Sequence, residues 1–383
     1  MDFQDDADDA AFRASARDTL ERLVAEMGPE PLELHERLPR FAYFQGQLKE
    51  AGFAGLSWPV EYGGRGASLG RQAIFLEEYD RAGAPDRLNT LGESLAGPTI
   101  IDFGTDEHRA RFLEPMLSGQ EIWCQLFSEP GAGSDLASIK TKATPDGDAW
   151  RIDGQKVWTS RAQIASFGLL LARTSEGRHG GLTYFLLPMD SPGVTVRPLR
   201  QMSGQAEFNE VFFDGVVVPD ELRISEVDAG WRVAMATLSY ERVALATGRV
   251  NLQHLIVELV HLVKSTERDG EPLLSDKSVR LRLGELYGRV QVQRVNGWRA
   301  LASMEAGAPG PEASIGKLSS APLVEDIADF ACSLRGLEAQ VDRDGELDPW
   351  LRLAYQARGT SIAGGTTFIQ KNIVAERVLG LPR

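Results

Sequence analysis

The 383 residues of the chain exceed what one ordinary hydrophobic core accommodates, so we expect two or three domains. The net charge of −14 argues against nonspecific nucleic-acid binding, which requires clustered lysine and arginine. The acidic start is unlike a signal peptide, and no stretch approaches the roughly 20 apolar residues of a membrane span, so we expect a cytoplasmic protein. Cys124 and Cys332 lack metal-ligand spacing, which predicts free thiols and no metal site.

The first third of the chain has the periodicity of helices. Apolar residues recur at helical spacing from Ala11 to Met27 and from Arg71 to Ala82. Thr105, followed by two acidic residues, predicts the capped start of another helix. We therefore expect an N-terminal helical domain over residues 1–119.

The pattern changes to β-strands at about residue 120. Asp153-Gly154 predicts a hairpin turn, and Lys156–Ser160 (KVWTS) its return strand. Further strands are predicted at residues 169–172, 182–188, 194–196 and 211–218. Because these strands do not alternate with helices, a Rossmann sheet is disfavoured and a compact antiparallel β domain over residues 120–226 is favoured.

Helical periodicity returns at about residue 230. Trp231 to Lys264 is predicted to form one long helix, and further helices are predicted at 275–306, 311–333, 350–363 and 366–379. Short connections between them are typical of an up-and-down bundle over residues 227–383. The order of helical, β and helical parts places the chain in the α+β class.

The segment Ser128–Asp135 (SEPGAGSD) is the first candidate site. Gly131 and Gly133 allow backbone N–H groups to approach a ligand, and Ser128 and Ser134 add hydroxyls. Such a loop binds the edge of a flat heterocycle or a phosphate. A polar turn at the entrance of the β domain explains the same residues equally well.

Trp158, beside two hydroxyl residues, is the second candidate. Its ring suits stacking near a flavin, although filling the core is the commoner use of a tryptophan on a strand. Gly364-Gly365-Thr366 is another candidate, because free N–H groups at a helix entrance bind an anion or a carbonyl oxygen. A simple helix cap is the alternative for this segment.

Glu241 is a candidate general base. In the predicted helix it shares a face with Thr237 and Leu238, and that face is otherwise apolar or small. A carboxylate in such a place is either desolvated or paired, and an ion pair with an arginine of another helix is as frequent as a catalytic role. Arg242 points about a hundred degrees away around the helix, where it is free to meet an anion.

Together these segments resemble the acyl-CoA dehydrogenase family. SEPGAGSD is similar to the first signature of the family, KVWTS to its flavin-facing strand, and the run from Gly364 to Arg383 to its C-terminal signature. Residues 95–119 and 197–213 are similar to two further family segments, so the resemblance covers nearly the whole chain in order. It implies an N-terminal helical domain, a central antiparallel β domain and a C-terminal four-helix bundle. It also implies that FAD lies between the last two and that a neighbouring subunit completes its site.

The resemblance implies which residues contact FAD. Residues 125–134 would edge the flavin, residues 158–160 would flank its ring and N5, and residues 366–368 would contact it from the C-terminal side. Arg268 is an ambiguous match to an arginine that meets the FAD pyrophosphate, and residues 333–337 replace a Gly-Gly turn. The implied cofactor contacts are Gln125, Leu126, Ser128, Gly133, Ser134, Trp158, Thr159, Ser160, Arg268, Gly336, Thr366 and Phe368.

The implied reaction is α,β-dehydrogenation of an acyl-CoA, in which a carboxylate removes the α-proton and the β-hydride passes to the flavin. Gly364 stands where many members carry the catalytic glutamate. A subset resembling isovaleryl-CoA dehydrogenase places the base on the bundle helix, and Glu241 matches that arrangement. The hypothesis is that Glu241 is the base and that the Gly364 N–H stabilises the thioester oxygen. The implied substrate contacts are Ser134, Ser239, Arg242 and Gly365.

Two alternatives to a dehydrogenase remain open from the sequence. One is a related oxidase or monooxygenase, and the other is a non-catalytic subunit of a heterotetramer, which the altered turn at residues 333–337 permits. The intact flavin segments and the presence of Glu241 favour an enzyme. The expected partners are an acyl-CoA, an electron-transferring flavoprotein as acceptor, and further subunits in a homodimer, homotetramer or heterotetramer.

Overall fold

The computed structural model describes residues 5–28, 34–85, 87–249, 252–307, 310, 312–341 and 347–382. The chain divides into two compact units. Unit 1 comprises Met1–Arg71, Ala82–Arg200 and Ala206–Val243, and unit 2 comprises Gln72–Arg81, Gln201–Gln205 and Ala244–Arg383. Across the described ranges, no helix has both the length and the apolar character needed to cross a membrane.

Five helices occupy the first third of the chain: α1 Ala7–Met27, α2 Leu34–Glu50, α3 Leu69–Arg81, α4 Gly97–Phe103 and α5 Asp106–Leu117. A π-helical turn, Gly92–Ala96, leads into α4. The predicted cap at Thr105 is confirmed, since its hydroxyl accepts from the backbone N–H of His108 and the His108 ring accepts from the N–H of Thr105, both at 3.2 Å. This reciprocal pair satisfies two donors at the start of α5.

Eight strands form one sheet: β1 Trp123–Leu126, β2 Lys142–Asp146, β3 Ala149–Ser160, β4 Phe167–Arg173, β5 Leu182–Pro188, β6 Val194–Leu199, β7 Phe208–Pro219 and β8 Arg223–Ile224. The order is β6-β7-β3-β2-β4-β5-β8, with β1 paired to β4. Most pairs are antiparallel, as predicted, but β4 runs parallel to both β1 and β2. The predicted α+β class is thereby confirmed.

The sheet is buried on both faces at β4 and β5. Leu169 and Leu171 belong to a cluster that includes apolar residues of α4 and α5, whereas Leu170 and Ala172 face a second cluster formed within the sheet. Double-sided burial explains why these strands are continuous apolar runs rather than alternating ones. Cys124 lies in this interior and is a free thiol, as predicted, and burial raises its pKa.

The hairpin predicted at Asp153-Gly154 is wrong. Strand β3 runs through Gly154, where its pairing with β7 shifts register, and the turn lies at Gly147 between β2 and β3. Gly154 has φ +149°, and a Cβ there would lie 2.7 Å from the Cα of Thr141. The glycine therefore permits close approach of backbones at a bulge, which local sequence does not distinguish from a turn.

The remainder of the chain is helical: α6 Gly230–Arg249, α7 Gln253–Ser265, α8 Lys277–Glu305, α9 Glu312–Arg335, α10 Pro349–Thr360 and α11 Thr367–Arg377, with short strands β9 Glu267–Arg268 and β10 Glu271–Pro272. Leu259, Leu286 and Ile327 are fully buried in the core of unit 2. The single helix predicted from Trp231 to Lys264 is wrong, because Leu252 is non-helical with φ −99° and ψ 10°. Gly248 weakens the last turn of α6.

Candidate active site

The segment Ser128–Asp135 follows β1 and is shaped by its own glutamate. The buried Glu129 carboxylate accepts from the backbone N–H of Lys140 at 2.6 Å and of Thr141 at 2.9 Å. Glu129 and Ala132 also exchange two backbone hydrogen bonds of 3.0 Å. These bonds hold the loop through the buried Glu129, whereas Gly131 and Gly133 are exposed.

A buried lysine joins this loop to β3. Lys156 is fully buried, and its Nζ donates to Phe127 O at 3.0 Å and to Glu129 Oε1 at 2.9 Å. One residue further on, the backbone N–H of Val157 donates to Ser128 O at 2.9 Å. The structure therefore brings together the two segments that sequence patterns identified separately.

Glu129 and Lys156 were missed by the sequence interpretation. Their signal is opposite charge in the two segments. Ser128–Asp135 contains the carboxylates of Glu129 and Asp135, and Lys156–Ser160 contains the ammonium of Lys156. Burial lowers the pKa of Lys156 to about 8, although Glu129 opposes this shift. Burial also opposes ionisation of Glu129, but Lys156 and the hydrogen bonds from Thr141 and Lys140 hold the pKa of this carboxyl below its ordinary value.

Trp158 does not fill the core. Its side chain is 62% exposed, its φ is +60°, and the pairing of β3 with β7 shifts register between Lys156 and Thr159. A left-handed conformation is costly for a bulky residue, and bulges that redirect a side chain are frequent beside active sites. The bulge leaves the indole exposed to solvent, with the ring of Phe208 edge-on at 6.1 Å.

Several buried polar atoms beside these segments have no protein partner within the described ranges. Among them are Oγ1 of Thr159, on β3, and Nε2 of Gln125, on β1. A buried polar group left without a hydrogen bond costs about 1–3 kcal/mol, so both atoms suit contact with a ligand. Leu126 is fully buried, Ser128 and Ser160 are half-buried, and Gly133 and Ser134 are exposed.

Gly131 and Gly133 are not required by the backbone of the loop. Neither has a positive φ, and a Cβ at either position would meet no atom within 4 Å. The open space beside both glycines leaves room for a ligand to approach the backbone of the loop.

A second loop, residues 175–181, lies against the same segment. Arg178 donates to Asp135 at 2.8 Å, and His179 stacks on Trp231 with ring centroids 4.7 Å apart. Both side chains are exposed, next to the exposed Ser134. The sequence interpretation did not single out this basic pair.

Glu241 is half-buried on α6, within unit 1. One turn earlier the hydroxyl of Thr237 is fully buried, 2.9 Å from the hydroxyl of Thr99 and 3.1 Å from that of Tyr184. The Tyr240 hydroxyl donates to Asp102. The face predicted as apolar or small thus carries a cluster of neutral hydroxyls. Ser239 is exposed, and the side chain of Arg242 lies outside the described set.

The other predicted residues lie in unit 2. Gly364 and Gly365 have φ of +62° and +91°. The helix-cap interpretation is confirmed for Thr366, whose hydroxyl accepts from Ile369 N at 3.3 Å at the start of α11. Phe368 is 76% exposed. Arg268, on β9, and Gly336, with φ +59° after α9, are also exposed.

The sequence matches the profiles of the three domains of acyl-CoA dehydrogenases: the N-terminal domain over residues 6–120, the middle domain over 124–216 and the C-terminal domain over 228–379. The chain belongs to the acyl-CoA dehydrogenase family. Members of this family are FAD-dependent oxidoreductases, and FAD is the cofactor of this one.

Three relatives illustrate the similarity of this acyl-CoA dehydrogenase to known proteins. The acyl-CoA dehydrogenase IpdE1 of Mycobacterium tuberculosis is 43% identical over 97% of both chains. The crystal structure of the ChsE4-ChsE5 complex from the same organism has a TM-score of 0.86 at 29% identity, with all of both chains covered. The Tcur3481-Tcur3483 steroid acyl-CoA dehydrogenase has a TM-score of 0.85 at 27% identity, again over both whole chains.

The residues of unit 1 fit a bound flavin. The exposed indole of Trp158 offers a stacking surface, and the free polar atoms of Thr159 and Gln125 offer hydrogen bonds at the edge of a flat heterocycle. The pair of Glu129 and Lys156 holds the segments that carry these groups in a fixed relation.

Proposed function

We propose that this dehydrogenase converts an acyl-CoA thioester to its trans-2-enoyl-CoA, with Glu241 as the base that removes the α-proton. Bound FAD supplies the acceptor for the β-hydride. The observation that carries the proposal is the half-buried Glu241 carboxylate on α6, in a chain whose C-terminal signature has Gly364 in place of a carboxylate.

Contacts around Glu241 support a fixed position for its segment. Thr237 anchors the preceding turn of α6 to Thr99 and Tyr184, and Tyr240 is held by Asp102. A general base must be held within hydrogen-bonding reach of the proton that it removes. The hydroxyls of Thr99, Thr237 and Tyr184 are neutral, so they anchor this turn of α6 without adding a charge to it.

Gly364 is proposed to donate its backbone N–H to the thioester oxygen, where negative charge grows as the proton leaves. Ser134, Ser239, Arg242 and Gly365 are proposed to contact the rest of the substrate. Arg178 suits the phosphates of CoA, because it is an exposed cation held beside Ser134 by Asp135.

The proposed substrate class is a ring-bearing or branched acyl-CoA. Support comes from the similarity to a protein described as a steroid acyl-CoA dehydrogenase and from the position of the carboxylate on the bundle helix. Two similar structures are described as pairs of different chains, so we further propose assembly with a second, related subunit. An electron-transferring flavoprotein is proposed as acceptor, and the cytoplasm as the location.

The test is an anaerobic titration of the FAD-loaded protein with straight, branched and ring-bearing acyl-CoAs, following the flavin absorbance. We expect Glu241→Gln to slow flavin reduction roughly a hundredfold or more, whereas Glu258→Gln, at an exposed position of α7, leaves it unchanged. Reduction of the Glu241→Gln protein at the wild-type rate would contradict the assignment. A colourless protein that takes up no FAD, alone or with its partner, would contradict the proposed activity itself.

A further inference from the structure

Loop 360–366, between α10 and α11, has an unusual backbone at its two glycines. Gly364 and Gly365 are both left-handed, with φ of +62° and +91°. The left-handed conformation disfavours a side chain at Gly365, and a Cβ there would lie 2.6 Å from Nε2 of Gln370, so the Gln370 amide would have to move. Glycine adopts many backbone conformations, so contacts with other residues must hold the peptide groups of residues 363–365 in one orientation.

A buried lysine holds this loop from α9. Lys317 is 5% exposed, and its Nζ donates to the carbonyl of Thr360 and, at 2.9 Å, to that of Ala363. Burying an ammonium is costly unless it is hydrogen-bonded, and both of these acceptors belong to loop 360–366. Thr360 also ends α10, where a cation is favoured by the helix dipole.

Gln370 holds the next carbonyl. Its Nε2 donates to Gly364 O at 3.3 Å from the second turn of α11. In a trans peptide the C=O and N–H point in opposite directions. Because the Ala363 carbonyl faces Lys317 and the Gly364 carbonyl faces Gln370, the N–H groups of Gly364 and Gly365 point away from these side chains. Within the described part of the chain neither N–H has a protein acceptor, and Gly364 is exposed.

We propose that Lys317 and Gln370 are positioning residues that fix loop 360–366 and aim the N–H of Gly364, the donor proposed above for the thioester oxygen. The aiming role rests on that proposed function. The charge of Lys317 contributes in a second way, because an ammonium bonded to Ala363 O polarises the peptide that carries the Gly364 N–H. A lysine therefore both orients and strengthens the donor, whereas a neutral side chain only orients it.

The experiment compares Lys317→Met, Lys317→Arg and Gln370→Met with Lys277→Met, a control at an exposed lysine of α8. Hydrogen exchange of residues 360–366 is measured without substrate, and kcat and KM with the acyl-CoA that has the highest kcat/KM. The ultraviolet red shift of the bound enoyl-CoA product reports hydrogen bonding to its thioester carbonyl.

Lys317→Met is expected to speed exchange in the loop, to lower kcat roughly 10- to 100-fold with KM changed less than about threefold, and to reduce the red shift at unchanged FAD content. Loss of an aimed donor to a developing oxyanion costs on the order of 10²–10³ in kcat, and misdirection costs less. Lys317→Arg should recover most of kcat, and Gln370→Met should reproduce part of the loss.

Unchanged loop exchange in both Lys317→Met and Gln370→Met would overturn the proposal. It would also be overturned by a fall in kcat with the full red shift retained, or by equal losses in Lys277→Met. If the wild-type protein oxidises no acyl-CoA but Lys317→Met still speeds exchange in the loop, the role of Lys317 in fixing the loop is supported. Only the proposed function is then refuted.

Discussion

The buried pair of Glu129 and Lys156 makes a stability prediction that is separable from catalysis. Lys156→Met keeps a side chain of similar length in a fully buried space but removes the donor to Phe127 O and Glu129 Oε1. The Glu129 carboxylate, 8% exposed, then loses its countercharge and retains the two backbone donors of Lys140 and Thr141.

The magnitude follows from the burial of the pair. Breaking a buried ion pair by removing one partner costs about 3–5 kcal/mol, and the two backbone hydrogen bonds retained by Glu129 place this case near 3 kcal/mol. Removing both charges, with Glu129→Gln and Lys156→Met together, leaves no unpaired ion, but the amide accepts from only one of the two backbone donors. The double change should therefore cost only about 1 kcal/mol less than the single change. The variants are compared by urea denaturation of the apoprotein at pH 7.

The matched control is Arg151→Met in the same strand. Arg151 pairs with Asp146 at 2.8 Å, but the two side chains are 51% and 46% exposed, so its loss should cost at most about 1 kcal/mol. The reasoning is refuted if Lys156→Met is no more destabilising than this control, or if the double variant is as unstable as Lys156→Met. The affinity for FAD should fall with Lys156→Met, because the pair joins the two segments that are proposed to contact the flavin.

Two further predictions concern single side chains. Thr159→Val removes a buried hydroxyl that has no protein partner within the described residues. It should weaken FAD binding roughly tenfold, measured by fluorescence titration, and leave the apoprotein as stable as before or slightly more stable in urea denaturation. An apoprotein destabilised by about 1 kcal/mol or more would disprove this prediction. Hydrogen bonds from Arg223 and then Trp150 lower the pKa of Asp220 to about 2. Because this folded-state pKa lies below that of the unfolded chain, the stabilisation is present at neutral pH and is lost as pH falls from about 4 to about 2. Asp220→Asn should therefore cost about 1 kcal/mol or less at pH 7, given that the carboxylate is 44% exposed, and a cost that persists at pH 2 would contradict this account.

The sequence by itself determined the order of helical, β and helical parts and the family. Helix caps and apolar periodicity depend on neighbouring residues, so the cap at Thr105 and the presence of α1 and α3 are readable locally. The helices begin at Ala7 rather than Ala11 and at Leu69 rather than Arg71. The family signatures are likewise contiguous segments. The wrong prediction at Gly154 has the same cause, because whether a glycine makes a turn or a bulge depends on what packs against it, and here that is the backbone of Thr141.

Only the tertiary structure decided which charged residues become buried and paired and that Trp158 is exposed. Lys156 meets Glu129 across 27 residues, and Lys317 meets Ala363 across 46. Trp158 is exposed because β3 shifts its register against β7. Pairings of this kind follow from strand register and loop closure, and the energy that favours them comes from burial. Burial is a property of the whole fold, so no local pattern distinguishes the buried charges Lys156, Glu129 and Lys317 from charges elsewhere on the chain.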